Sequence, residues 1–146
     1  MIGRVERIDL PDWELLNLDA KIDTGAFSSS LHCHHIEVFE RNEAKWVRFH
    51  LLDPEYNSYN ERLMEFPVSD QRVVKSSNGI GEERIFIETV IMLYNQKFNI
   101  ELSLSNRAEM KYPILLGRKF LAKKFVVDVS RTYLSEKHAL KERRTS

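Results

Sequence analysis

Alternation is the feature that most limits what this chain can become. Phe98, Ile100, Leu102 and Leu104 stand at every second position with polar partners between them, the pattern of a half-buried strand. The same period recurs in short stretches along the chain. Residues 2–10, 16–22, 36–40, 45–52, 71–75 and 83–93 read as strands, and 63–68 as a short extended piece interrupted by Pro67. Between them lie turn signals. Leu10-Pro11-Asp12-Trp13 is a break, Arg41-Asn42-Glu43 a turn, and residues 53–62 a polar loop. Ser76-Ser77-Asn78-Gly79-Ile80-Gly81 is the most turn-rich stretch, with Asn78-Gly79 a strong hairpin signal. Residues 112–117 form an apolar strand, 118–124 one or two helical turns, and 125–129 and 131–134 the last strands. Nine or ten short strands with turns every 8–12 residues and one short helix imply a closed or sandwiched all-β domain.

The 146 residues suit one domain, taken as residues 1–134, followed by a charged tail, 135–146. Hydrophobic residues at 42% and charged residues at 30% are globular proportions. Zero formal net charge argues against bulk-charge binding to nucleic acid. One cysteine, Cys33, excludes an internal disulfide. No apolar run reaches membrane-span length, and the N-terminus lacks a signal-peptide stretch, so the expected setting is cytoplasmic, with no membrane partner.

Ile22-Asp23-Thr24-Gly25-Ala26 carries the chemistry. A strand delivers a carboxylate to a tight turn. Gly25 is expected to permit a backbone conformation that a side chain would obstruct, and the Thr24 hydroxyl to hold the loop. The period-2 rule puts Asp19, Lys21 and Asp23 on one strand face, Ala20 and Ile22 on the other.

A second landmark, Ile114-Leu115-Leu116-Gly117-Arg118, lies late in the chain. The pair resembles the retropepsin-like acid proteases. In them an apolar-apolar-Gly strand crosses beneath an Asp-Thr-Gly loop, and the following Arg begins a terminal helix and braces that loop. The resemblance implies a retropepsin-like barrel in which Gly117 and Arg118 are structural braces. It also implies a flap hairpin over residues 71–84, with its tip near Ser76 to Gly81. An additional segment, about residues 42–67, lengthens the first half.

A closer resemblance is to the bacterial and archaeal family labelled ATP-dependent zinc proteases. It rests on residues 20–26 with Ser29-Ser30-Leu31-His32, Val74-Lys75-Ser76-Ser77-Asn78-Gly79, residues 100–107 and Leu115-Leu116-Gly117-Arg118. That family is often encoded beside an ATP-grasp ligase that adds glutamate to a ribosomal protein, which implies a functional link to such a ligase. The ATP and zinc of the label have no support in the sequence, which lacks both a phosphate-binding Gly-rich loop and a His-Glu-x-x-His helix. No cofactor is expected.

Aspartic proteolysis needs two carboxylates and one water, with one carboxyl ionised and the other protonated. This chain holds one Asp-Thr-Gly. The mechanism therefore implies a homodimer with Asp23 of each copy at a two-fold axis. The catalytic candidates are Asp23, Thr24 and Gly25, the latter two as shapers of the loop. The substrate-binding candidates are Lys21, Ala26, Arg72, Lys75, Ser76, Ser77, Asn78, Gly79 and Arg84. Lys21, Arg72, Lys75 and Arg84 bordering one cleft point to an acidic or glutamate-tailed peptide.

Two features depart from retroviral enzymes. Lys21 stands where an apolar residue is usual; its ammonium favours the ionised carboxylate or binds an anionic substrate. Phe27 stands where those enzymes carry an Asp that pairs with the helix Arg. Both favour an alternative, a catalytically inactive peptide- or partner-binding module.

His32, Cys33, His34 and His35 suggest zinc, a third reading. Adjacent strand residues point to opposite faces, so four consecutive ligands cannot converge, and a solvated strand start is expected instead. Asp19 would lie about 13–14 Å from Asp23 if extended, too far for a dyad. Asp128 reads as a strand-end turn residue, Tyr56 and Tyr59 as exposed loop aromatics, and residues 141–144 as a solvated basic end.

Overall fold

The structure, a computed structural model, describes residues 1–51, 63–75, 79–105 and 112–136. Nine strands form within them: β1 (Val5–Leu10), β2 (Leu15–Ile22), β3 (Ser29–Arg41), β4 (Ala44–Leu51), β5 (Leu63–Pro67), β6 (Asp70–Lys75), β7 (Gly81–Leu93), β8 (Gln96–Ser105) and β9 (Ile114–Leu116). A 3-10 turn, Pro11–Trp13, joins β1 to β2, and a one-turn helix α1, Arg118–Leu121, follows β9.

Six strands close into a barrel in the order β3-β8-β7-β1-β2-β9, with β9 returning to β3. Closure rests on β9, which runs parallel to β2 (Ala20↔Ile114, Ile22↔Leu116) and antiparallel to β3 (Ser30↔Leu115). Each strand delivers alternate residues inward. Ala20, Ile22, Leu31, Ile87, Ile91, Leu102, Leu104, Ile114 and Leu116 all enter one core with Trp13. The indole N–H of Trp13 donates to Thr89 Oγ1 at 2.9 Å, so its polar edge is satisfied inside.

The thirteen-residue β3 serves two sheets. Its first half belongs to the barrel; a register shift between His34 and Glu37, with His35 in the left-handed region (φ 54°), bends the second half away. There it pairs with β4, and β4 with β5, so the described part of the inserted segment forms a three-stranded extension. The hairpin expected over residues 71–84 is present as β6–β7, with Arg72↔Arg84 and Lys75↔Gly81 in register. Of its tip, Ser76, Ser77 and Asn78 lie outside the described residues. Gly79, at φ 82°, takes a conformation that favours glycine.

The two last expected strands do not form. The segment after α1 instead runs irregularly beside the N-terminal residues: Ile2 N–H donates to Val126 O, Asp128 N–H to Ile2 O, Arg4 N–H to Arg131 O and Tyr133 N–H to Val5 O. Asp128 breaks any ladder by accepting Ser130 N–H (3.0 Å) and Ser130 Oγ–H (2.6 Å) on one oxygen. These Ser130 bonds, with Arg131 adding to them, hold the Asp128 carboxyl below its ordinary range.

Packing continues past residue 134. Glu6, fully buried, accepts Gly3 N–H (2.8 Å) and Leu134 N–H (3.0 Å) on Oε2, and Ser135 N–H (3.0 Å) and Oγ–H (2.7 Å) on Oε1. Glu136 then pairs with Arg7 at 2.8 Å. No helix among the described residues is long and apolar enough to cross a membrane.

Glu6→Gln converts one arm of this clasp into a donor and orphans two buried donors. The expected loss is about 2–3 kcal/mol, read as a lower midpoint in urea at unchanged slope.

Candidate active site

The Asp-Thr-Gly loop leaves the end of β2 and is stitched to β9 and α1 almost wholly by backbone. Asp23 N–H donates to Leu116 O (2.9 Å), and Ala26 N–H to Asp23 O (3.2 Å), closing the turn. The carboxylate of Asp23 is half-buried, and its Oδ1 accepts Gly25 N–H at 3.0 Å. That bond fixes one oxygen and leaves Oδ2 for a water or a second carboxyl.

Gly25 does not owe its place to a left-handed backbone. Its φ is not positive; Gly79 is the described glycine that is. A Cβ at Gly25 would instead stand 3.3 Å from Asp23 Oδ1. That is a tight contact with the same oxygen that the Gly25 N–H holds, so a side chain here would crowd the carboxylate.

The helix end supplies the rest of the stitching. Arg118 N–H donates to Ala26 O (2.8 Å), Lys119 N–H to Phe27 O (2.9 Å), and Gly117 N–H to Ser29 Oγ (3.0 Å). The Arg118 guanidinium donates to Thr24 O at 3.0 Å and lies 5.9 Å from the Phe27 ring centroid. With Phe27 in place of a carboxylate, the guanidinium has thus taken a loop carbonyl as its partner. Gly117 sits under the loop, where a Cβ would come within 2.5 Å of Ser28 O and 2.7 Å of Phe27 O.

The four candidate cations are not equivalent. Lys21 is exposed, in register with Leu115, and makes no ion pair with Asp23. Arg72 donates to Glu101 Oε1 at 2.5 Å, pairs with Asp70 at 3.3 Å, and stacks 3.8 Å from the Phe86 centroid. Lys119 holds the same Glu101 oxygen at 3.2 Å, a contact the sequence reading missed; no local spacing signals it. Arg84 is buried and pairs with Glu82 at 3.0 Å. The Lys75 side chain lies outside what the structure describes.

Two cavities adjoin this cluster, of about 580 and 210 Å³, sharing Asn99, Ile100, Glu101 and Lys119. Neither is lined by Asp23.

The solvated strand start is corrected. His32 and Cys33 are buried, at 2% and 0% exposure, because this half of β3 is a barrel strand flanked by β8 and β9. Burial pushes the Cys33 thiol up to about 12, against a smaller lowering by a backbone bond with Ser105. His34, His35 and His50 gather where β3 bends, with ring centroids 4.9–5.4 Å apart. Among the described residues no group of three or more His, Cys, Asp or Glu is arranged to hold a metal ion, so the zinc of the family label finds no fitting donor set there.

Comparison with known proteins follows the same line. The family profile described as retropepsin-like aspartic endopeptidase RimB matches residues 1–138. A protein of Shewanella pealeana named probable alpha-L-glutamate ligase is 40% identical over 139 residues, covering 94% of this chain and 30% of that protein. One of the same name from Parasynechococcus marenigrum is 38% identical over 128 residues, covering 88% and 28%. The chain thus spans less than a third of the length of these curated relatives. A crystal structure of a Legionella pneumophila protein of unknown function superposes with a TM-score of 0.72 at 29% identity, covering 92% of this chain and 96% of that one.

Two outcomes are expected. Gly117→Ala forces its methyl against backbone that cannot rotate away and lowers stability by about 2–4 kcal/mol in thermal unfolding. Cys33 in the folded protein resists a thiol reagent at pH 8 and reacts at the free-cysteine rate once denatured; rapid native labelling contradicts its burial.

Proposed function

Since the chain belongs to the RimB-like family of retropepsin-like aspartic endopeptidases, we propose that it hydrolyses peptide bonds with a water activated by Asp23. The observation that carries this reading is the Asp23 carboxylate itself. It is held by Gly25 N–H on one oxygen, free on the other, and carried on a loop clamped by β9 and α1.

One carboxylate takes a proton from water; a second, protonated, polarises the scissile carbonyl. The chain has one Asp-Thr-Gly, so the second carboxyl is Asp23 of another copy, in a homodimer. Two like charges in contact cannot both ionise, and the pair titrates as a unit. Thr24 and Gly25 shape the loop, and Gly117 and Arg118 brace it.

The substrate is an acidic peptide. Lys21 supports this choice: it is an exposed cation two residues before Asp23 with no ion-pair partner among the described residues, on a face where Arg72 and Arg84 already have theirs. The alpha-L-glutamate ligase name of the relatives agrees with a glutamate-rich substrate and with a functional link to such a ligase. Lys21 and Phe27 also favour a second reading, an inactive module that binds such a peptide without cleaving it.

The test incubates wild type and Asp23→Asn with glutamate-tailed peptides from pH 4 to 8, with products read by mass spectrometry and mass in solution by light scattering. Wild-type cleavage, a loss of at least 10³-fold in Asp23→Asn, and a dimer are expected. Equal cleavage by both proteins, or full activity from a monomer, ends the aspartic reading. Binding without cleavage selects the inactive module.

A further inference from the structure

The barrel has a polar floor beside Asp23. Its register aligns Lys21 with Leu115, Leu115 with Ser30, Ser30 with Ser103, and Ser103 with Phe86, one residue from each of β2, β9, β3, β8 and β7. Ladder partners share a face. Of the residues beside them, Ala20, Ile22, Ile114, Leu116, Leu31, Leu102, Leu104 and Ile87 enter the core, Ile85 packs against it, and Ser29 is buried. The row therefore lies on the outer face of the barrel; Asp23 follows two residues after Lys21, in the loop beyond β2.

This row runs from a cation through one half-buried apolar residue and two hydroxyls to an aromatic ring covered by Arg72. It contains no carboxylate. At its centre Ser30 Oγ and Ser103 Oγ lie 2.9 Å apart, with Ser103 only 2% exposed. Two hydroxyls carry two protons, and their mutual bond uses one. Either can be the donor of that bond, so the second O–H belongs to the half-buried Ser30 or to the nearly dry Ser103, and an acceptor that meets it there is worth more than in water. Lys21 stands two strand spacings away, about 9–10 Å between Cα atoms, within reach of its four-carbon stem.

We infer that the Ser30–Ser103 hydroxyl pair, with Lys21, is the subsite that reads a side-chain carboxylate of the bound peptide. This rests on the peptide-binding reading above and identifies the residues that set its specificity. A carboxylate only accepts, so it matches one spare O–H and an ammonium. A carboxamide offers one neutral acceptor oxygen, and its NH2 cannot pair with the ammonium, so it binds more weakly; an apolar side chain offers neither group an acceptor.

The test uses the Asp23→Asn protein, so that binding is read without turnover. Fluorescent peptides carrying Glu, Gln or Leu at one position are compared by anisotropy. The Glu peptide is expected to bind at least tenfold tighter than the Gln peptide. Ser103→Ala and Ser30→Ala are each expected to cut that ratio about five- to tenfold, and Lys21→Gln to do the same. Ser30→Thr, which keeps the hydroxyl, retains the ratio, and an unchanged unfolding temperature excludes a folding defect. A Glu:Gln ratio near one, or one that both Ser→Ala variants leave intact, overturns the inference. The two readings fail separately: Ser-dependent discrimination without any wild-type cleavage removes the peptidase and keeps the subsite. Asp23-dependent cleavage with Ser-independent discrimination does the reverse.

Discussion

Everything near Asp23 depends on how closely β9 passes under the loop that follows β2. A three-residue strand with hydrogen bonds to β2 on one side and β3 on the other closes the barrel. The next residue, Gly117, then lies so near Ser28 O that no side chain fits. From that contact the rest follows. Arg118 and Lys119 meet the Ala26 and Phe27 carbonyls because Gly117 allows the helix to begin there, and the Arg118 guanidinium is delivered to Thr24 O. The loop is held by main-chain hydrogen bonds within a closed sheet, which salt does not screen as it would an exposed ion pair.

The charges around the site are arranged by the same closure. Glu101, on β8, draws Arg72 from the hairpin strand and Lys119 from the helix onto one oxygen. Through Lys119 N–H and Phe27 O, the base of the β6–β7 hairpin and the Asp-Thr-Gly loop then share a short physical connection. Of the candidate cations, Arg72 and Arg84 are each paired with a carboxylate, whereas Lys21 is exposed with no ion-pair partner among the described residues. The electrostatic character of the site is thus set less by the number of basic residues in the sequence than by which of them the fold has already paired.

The barrel was legible because its strands obey a local rule. The alternation of Phe98 to Leu104, and the placement of Ala20 and Ile22 opposite Lys21, follow from a period of two and hold in the core. Long-range pairing obeys no such rule. Residues 125–134 carry strand-forming residues, yet what they meet is an N-terminal segment held by the buried Glu6 clasp, and the result is irregular. His32 and Cys33 looked solvated because histidine is polar. Their burial is dictated by β8 and β9, some seventy to eighty residues later. At residue 25 a Cβ would crowd Asp23 Oδ1, and proximity to a carboxylate leaves no trace in a one-dimensional pattern.

Phe27 shows how the loop tolerates a change that would otherwise undo it. A guanidinium that loses its carboxylate partner must find another acceptor or remain in water. Here a backbone carbonyl, Thr24 O, accepts it, and the Phe27 ring lies beside it, 56% exposed. A carbonyl carries no net charge, so the Arg118 guanidinium has no anionic partner in the loop that holds Asp23. Lys21, exposed two residues before Asp23, is the other place where the sequence differs from the retroviral pattern. The backbone geometry of the loop rests on main-chain bonds from Asp23 to Leu116, Ala26 to Asp23 and Arg118 to Ala26, which depend on neither side chain.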